Sequence, residues 1–165
     1  MEQVRERGER WVVSTRDEYR QAVIGVAGIA TRKLSLFTHD LEPGIYDDPE
    51  FLEVVKHLVL SQRFARVRVL INDPSHAIKN GNALVHLGRR LNSYIEFRNV
   101  RKDLRGQTES YCIADGVALV YRAEATRWEG IADTWEPGVA KRYSNKFDEL
   151  WNASEVELEL RQLSI

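Results

Sequence analysis

The residues of this chain that could do chemistry fall into two groups. His39 and Asp40 are adjacent, and Asp73 closes a later apolar run. A histidine with two carboxylates can hold a divalent metal or work as an acid/base pair. The three would converge if the strands preceding them are parallel neighbours, because loops at the carboxyl ends of such strands form the crevice where ligands bind. Asp40 and Asp73 also precede helical segments, where a carboxylate caps a helix or turn, and their spacing does not choose between the two roles. The second group is cationic: Arg89, Arg90, Arg98, Arg101, Lys102, Arg105 and Arg122. If Arg89, Arg90, Arg98 and Arg122 face one cleft, their guanidinium groups would grip a phosphate or carboxylate bidentately. Paired instead with Glu96, Asp103, Glu109 and Glu124, they would be a solvated surface.

Other chemistries lack their residues. Gly25-Val-Ala-Gly28 lies within a helical pattern and follows no strand, unlike a phosphate-cradling loop. No Cys/His spacing suits zinc and no serine sits in a nucleophile elbow, so no cofactor is expected. His57, His76 and His86 have no motif around them. Cys112, the single cysteine, lies in an apolar alternation and reads as a buried thiol. With 24 Lys plus Arg against 25 Asp plus Glu in 165 residues, no global field attracts nucleic acid or an anionic membrane. Neither a secretory signal nor an apolar stretch long enough to span a bilayer is found, so the expectation is a cytoplasmic protein without membrane insertion.

The elements that must position these residues alternate in type. Residues 1–10 read as a charged arm and 11–165 as a single domain. A helix is expected after Ser14 or Thr15, with Ser14 and Asp17 approximating a capping box, ending near Lys33. The strand Leu34–Thr38 delivers His39-Asp40 into a loop closed by Glu42-Pro43-Gly44. Asp47-Asp48-Pro49 announces a second helix, and the nearly continuous apolar run Val67–Ile71 is a central strand. A turn at Asn80-Gly81, a helix from about Asn82 to Asn92 and the strand Tyr94–Phe97 follow. Residues 108–125 read as a hairpin that turns tightly at Asp115-Gly116. Trp128–Pro137 is a poorly patterned connection, a helix runs from Gly138 to about Ala153, and Leu158, Leu160, Leu163 and Ile165 suit a closing turn or strand. The order predicts an α/β (α+β) fold, with helices covering a mixed parallel and antiparallel sheet.

The run Ala65-Arg66-Val67-Arg68-Val69-Leu70-Ile71-Asn72-Asp73, the strand Ile95–Arg98 before the hairpin, and Phe147-Asp-Glu-Leu-Trp151 after it resemble the phospholipase D superfamily, most closely its uncharacterised, single-repeat bacterial branch. The resemblance implies a phospholipase D-like domain. Aligned on Asp115, it puts Thr108 where the family has its histidine nucleophile and Ser110 where it has its lysine. Arg122, Ala123 and Ala125 stand where Gly, Ser and Asn would be. A histidine that attacks phosphorus and a lysine that stabilises oxyanion charge would both be missing.

The resemblance therefore implies a non-catalytic binding or interaction module with no catalytic residues. Its candidate phosphate-binding residues are Arg89, Arg90, Arg98, Arg122, Asp115 and Ser110, and Asp115 also serves the turn. A homodimer would cover the face that the paired halves of such enzymes share. The partner expected is a phosphorylated small molecule or, with weaker support, a nucleic-acid backbone; the near-neutral charge argues against strong non-specific nucleic-acid binding. The alternative is a metal-assisted phosphoester hydrolase using His39, Asp40 and Asp73.

Overall fold

A computed structural model describes residues 8–156. Its frame is an eight-stranded mixed sheet in the order β1-β7-β6-β5-β2-β3-β4-β8. The strands are β1 (Arg10–Val13), β2 (Lys33–Thr38), β3 (Arg66–Ile71), β4 (Ile95–Asn99), β5 (Ser110–Ala114), β6 (Ala118–Arg122), β7 (Gly130–Asp133) and β8 (Glu155–Val156). β2, β3 and β4 run parallel, and every other pairing is antiparallel. The expected mixed sheet is thus present, with parallel crossovers preceding hairpins. β3 is interior, as its apolar run requires, although the middle of the sheet is the β5/β2 pair.

Five α-helices cover it: α1 (Arg16–Ala27), α2 (Pro49–Ser61), α3 (Ser75–Asn80), α4 (Ala83–Arg90) and α5 (Pro137–Asn152). α1 starts at a capping box one residue later than expected. The Thr15 hydroxyl accepts from Glu18 N at 3.1 Å, while Glu18 Oε1 accepts from Thr15 N at 3.3 Å. Asp48 caps α2 by accepting from the N–H groups of Glu50 and Phe51, with Pro49 in the first turn. α1 stops at Ala27 rather than near Lys33, because the N–H groups of Thr31, Arg32 and Lys33 are bonded to the Asp115 carboxylate instead of to a helix.

Strand alternation divides the core in two. Leu34, Leu36, Val67, Val69, Ile95, Cys112 and Val120 point to the face covered by α1, α2 and α4. Phe37, Leu70, Tyr111, Ile113 and Leu119 point to the other, under Phe147, Leu150 and Trp151 of α5. Burial pushes the Cys112 thiol pKa well up, as a dry site should.

β1, β7, the two-residue β8 and α3 lie where no such element was expected. Arg10–Val13, partly assigned to a charged arm, pairs antiparallel with β7, itself inside the supposed connection. Of the arm, residues 1–7 lie outside the described residues, as do Leu158, Leu160, Leu163 and Ile165. α3 has six residues, too few to show a period. No helix among the described residues is long and apolar enough to cross a membrane.

Candidate functional site

The hairpin of β5 and β6 turns through Asp115 (φ 55°) and Gly116 (φ 71°), both left-handed as a primed turn demands, with Val117 N donating to Ala114 O at 3.1 Å. Beyond that turn the strands carry Ser110 and Arg122 as a register pair at the far end of the hairpin. Both are 0% exposed. Arg122 shares a side of β6 with Ala118 and Val120, so its guanidinium enters the three-helix side of the core.

Three kinds of contact receive that buried charge. Arg122 Nη2 pairs with Glu42 Oε2. Nη1 donates to the carbonyls of Ala125 at 3.0 Å and Arg127 at 2.9 Å. The rings of Tyr19 and Trp128 each lie 4.4 Å from Cζ. Gly130 lets β7 close over the group, since a Cβ there would stand 2.5 Å from Tyr121 O and 3.0 Å from Arg122 Cγ. Glu42 is 7% exposed, and its Oε1 accepts from Thr38 Oγ1 at 2.9 Å and Ser110 Oγ at 3.2 Å. The two charges offset each other, which a desolvated pair needs, while Arg122 Nε has no hydrogen-bond partner among the described residues.

The loop that delivers Glu42 is shaped for the purpose. Thr38 Oγ1 accepts from Leu41 N at 3.0 Å and holds the fully buried Leu41 at φ 62°, a conformation that costs a non-glycine residue about 1–2 kcal/mol. Gly44 has φ 88°, and Arg16 passes over it to donate to Pro43 O at 2.6 Å. A Cβ on Gly44 would stand 1.9 Å from Arg16 Nη2. Above the pair opens a cleft of about 380 Å³ lined by Arg16, His39, Asp40, Glu42 and Trp128.

The sequence candidates separate. Arg98 extends toward α5, on the opposite face from Arg122, bonding Glu96 Oε2 at 2.9 Å and Trp151 O at 3.0 Å with its guanidinium 4.5 Å from the Trp151 ring centre. Three strands, β5, β2 and β3, lie between the two arginines. Arg89 and Arg90 end α4, and Arg89 contacts His86. The arginine cleft is therefore not assembled: strand parity sends Arg98 and Arg122 to opposite faces, and the interior claims Arg122. Asp115 serves the turn, and its carboxylate ties down Thr31, Arg32 and Lys33.

His39 and Asp73 do lie at neighbouring strand ends, as expected, and Asp73 N donates to His39 O at 2.7 Å. The Asp73 carboxylate nevertheless turns to Ser75, accepting from its hydroxyl at 2.6 Å and its N–H at 3.1 Å, and these bonds lower its pKa. His39 Nδ1 faces Asn72 Nδ2 at 3.4 Å. Among the described residues no group of three or more His, Cys, Asp or Glu side chains is placed to hold a metal, so the set of His39, Asp40 and Asp73 is not formed. Sequence reasoning missed Glu42, Arg16, Tyr19 and Trp128. The signal for the pair was the parity of Ala118, Val120 and Arg122, which puts an arginine on an apolar side of its strand.

Residues 15–163 match the family described as a domain of unknown function, DUF7931. The chain belongs to that family. No curated protein matches it. Among solved structures it is similar to the phospholipase D family member Nuc from Salmonella typhimurium, at 16% identity and TM-score 0.61, covering 90% of this chain and 97% of that one. NucT from Helicobacter pylori is similar at 11% identity and TM-score 0.63, over 90% and 99% of the two chains. TrmBL2, an archaeal chromatin protein with a novel mode of DNA binding, gives 15% identity and TM-score 0.63 over 89% of this chain, which spans about half (53%) of that protein. The fold is phospholipase D-like.

Proposed function

We propose that this chain is a non-catalytic phospholipase D-like module that binds a phosphate-containing ligand. One observation carries the reading: the end of the hairpin, where the resemblance locates the reacting groups, is filled by the Glu42–Arg122 pair, with Ser110 bonded to Glu42. Nothing there offers a nucleophile. Thr108 is exposed and donates to Ala123 O at 3.1 Å, with no base beside it to activate its hydroxyl. Arg122 cannot serve as a clamp for incoming phosphate either, because it is fully buried and its charge is paired with Glu42.

The ligand in this reading enters the cleft above the pair. Arg16 and His39 supply its positive and hydrogen-bonding groups, and the volume suits one phosphorylated small molecule. A homodimer, in which a second copy covers this end of the sheet, belongs to the same reading. No contact favours the metal-assisted alternative.

The test is hydrolysis of bis(p-nitrophenyl) phosphate with and without divalent metals. No turnover above buffer is expected. Metal-independent turnover lost in His39→Ala would refute the reading, and metal-dependent turnover would restore the alternative. Calorimetry with phosphorylated metabolites should show binding that Arg16→Ala abolishes, and sedimentation at micromolar concentration should show a dimer.

A further inference from the structure

A larger cleft, of about 610 Å³, opens at the opposite end of the sheet, between α5 and the amino-terminal ends of β2 and β3. Its cations are Arg32, Lys33, Arg66 and Lys141. None of the four forms an ion pair with a carboxylate of the described residues. The two carboxylates that line it are already committed. Asp148 accepts from Arg68 Nη2 at 2.9 Å, and Asp115 accepts from the N–H groups of Thr31, Arg32 and Lys33. With Asp148 paired to Arg68, the four cations face the single charge of Asp115, and the cleft is net positive on a chain whose net charge is −1.

Phe64 also lines this cleft and is 77% exposed, the most exposed large apolar side chain of the described residues. The Arg63 guanidinium lies 5.5 Å from its ring centre. An aromatic ring presented to solvent among cations is the arrangement that binds unpaired nucleic acid: the cations follow the phosphates, and the ring stacks on a base whatever its identity. A double helix hides its base faces and would leave the ring unused. A bilayer is flat, whereas this charge lines a concave groove.

We infer that the groove formed by Arg32, Lys33, Phe64, Arg66 and Lys141 is a binding site for single-stranded nucleic acid, separate from the cleft at the carboxyl end of β2. The strand between them has six residues and spans about 20 Å. Neither site needs the other, so this inference stands apart from the reading of the first cleft.

Fluorescence anisotropy of the whole chain with a labelled oligothymidine about 12 nucleotides long tests it. Binding should weaken with salt, because phosphate neutralisation releases counterions. Lys33→Ala, Arg66→Ala and Lys141→Ala should each flatten the salt slope by about 0.7. Phe64→Ala should weaken binding at least about fivefold and leave the slope alone, since stacking carries no charge. Phe64 lies outside the core, so this variant should keep the wild-type melting temperature. Arg16→Ala and His39→Ala should bind the oligonucleotide as wild type does. The inference is overturned by no binding at low salt, by loss of binding in Arg16→Ala, or by Phe64→Ala binding like wild type. Duplex of the same length binding as tightly as the single strand, or anionic phosphatidylserine vesicles displacing it, would equally overturn it.

Discussion

At the carboxyl end of β2, Glu42 lies 7% exposed against a guanidinium that water does not reach, whereas at its amino end the Asp115 carboxylate sits near the surface and gathers three backbone N–H groups. Both carboxylates tie together segments far apart in sequence. They differ in what surrounds them. Glu42 and Arg122 have both given up hydration, so each depends on the other and on Thr38, Ser110 and two carbonyls. Asp115 keeps water as an alternative partner, and its donors would keep it too. Removing one member of the interior pair must therefore cost far more than removing the surface carboxylate.

The largest effect expected is at the interior end. Arg122→Met strands a buried carboxylate and should cost about 3–5 kcal/mol in denaturant unfolding. Changing both members, Glu42→Leu with Arg122→Met, should recover most of that loss, because two matched apolar groups replace two desolvated charges. A double variant no more stable than the single would show that the contacts to Tyr19, Trp128 and the carbonyls, rather than the pair, hold this end together. Gly130→Ala perturbs the same place from the backbone side. With a Cβ 2.5 Å from the backbone oxygen Tyr121 O, either β7 or the β6 backbone must shift, for an overpacking cost of about 1–3 kcal/mol. Equal stability to wild type would mean that β7 yields without strain.

Much of this contrast was readable in the sequence at one end and not at the other. Asp115-Gly116 is a local signal: two residues tolerant of positive φ between two apolar alternations, and the structure turns there. Asp48-Pro49 and the apolar run ending at Ile71 were legible for the same reason. The Glu42–Arg122 pair joins residues eighty positions apart, and in sequence Glu42 looked like one residue of a Glu-Pro-Gly loop. Arginine also reads as surface unless strand parity is allowed to overrule its type. β1 and β7 were missed because each is short and charged at its margins, and each is a strand by long-range pairing, β1 with β7 and β7 also with β6. The candidate site was legible as a location, the loop after β2, while its occupant was decided by long-range packing.

At the surface end the changes should be smaller and separable. Asp115→Ala removes the carboxylate and also places a methyl group at φ 55°, so it should cost about 1–2 kcal/mol. Asp115→Gly removes the carboxylate without that backbone penalty and should fall measurably short of it. If the two variants were equally destabilised, the left-handed conformation would carry no share of the cost.

The smallest and most specific prediction concerns pH. Burial of Asp115 opposes its ionisation, but the N–H groups of Lys33, Thr31 and Arg32, with the Thr31 hydroxyl, outweigh it and hold the carboxyl below its usual range. A carboxyl whose folded pKa lies below its unfolded value releases its proton more readily in the native state. Its contribution is therefore complete above the unfolded pKa, near 3.9, and is lost as the pH falls through the folded value. Asp115→Asn keeps the size and tolerates the positive φ while removing the charge. Its deficit against wild type should be constant from neutral pH down to about pH 5 and then shrink toward zero as wild type protonates. Chemical denaturation across that range measures it, and a deficit that persisted undiminished at the acid end would show that Asp115 acts through the shape of the turn and not through its charge.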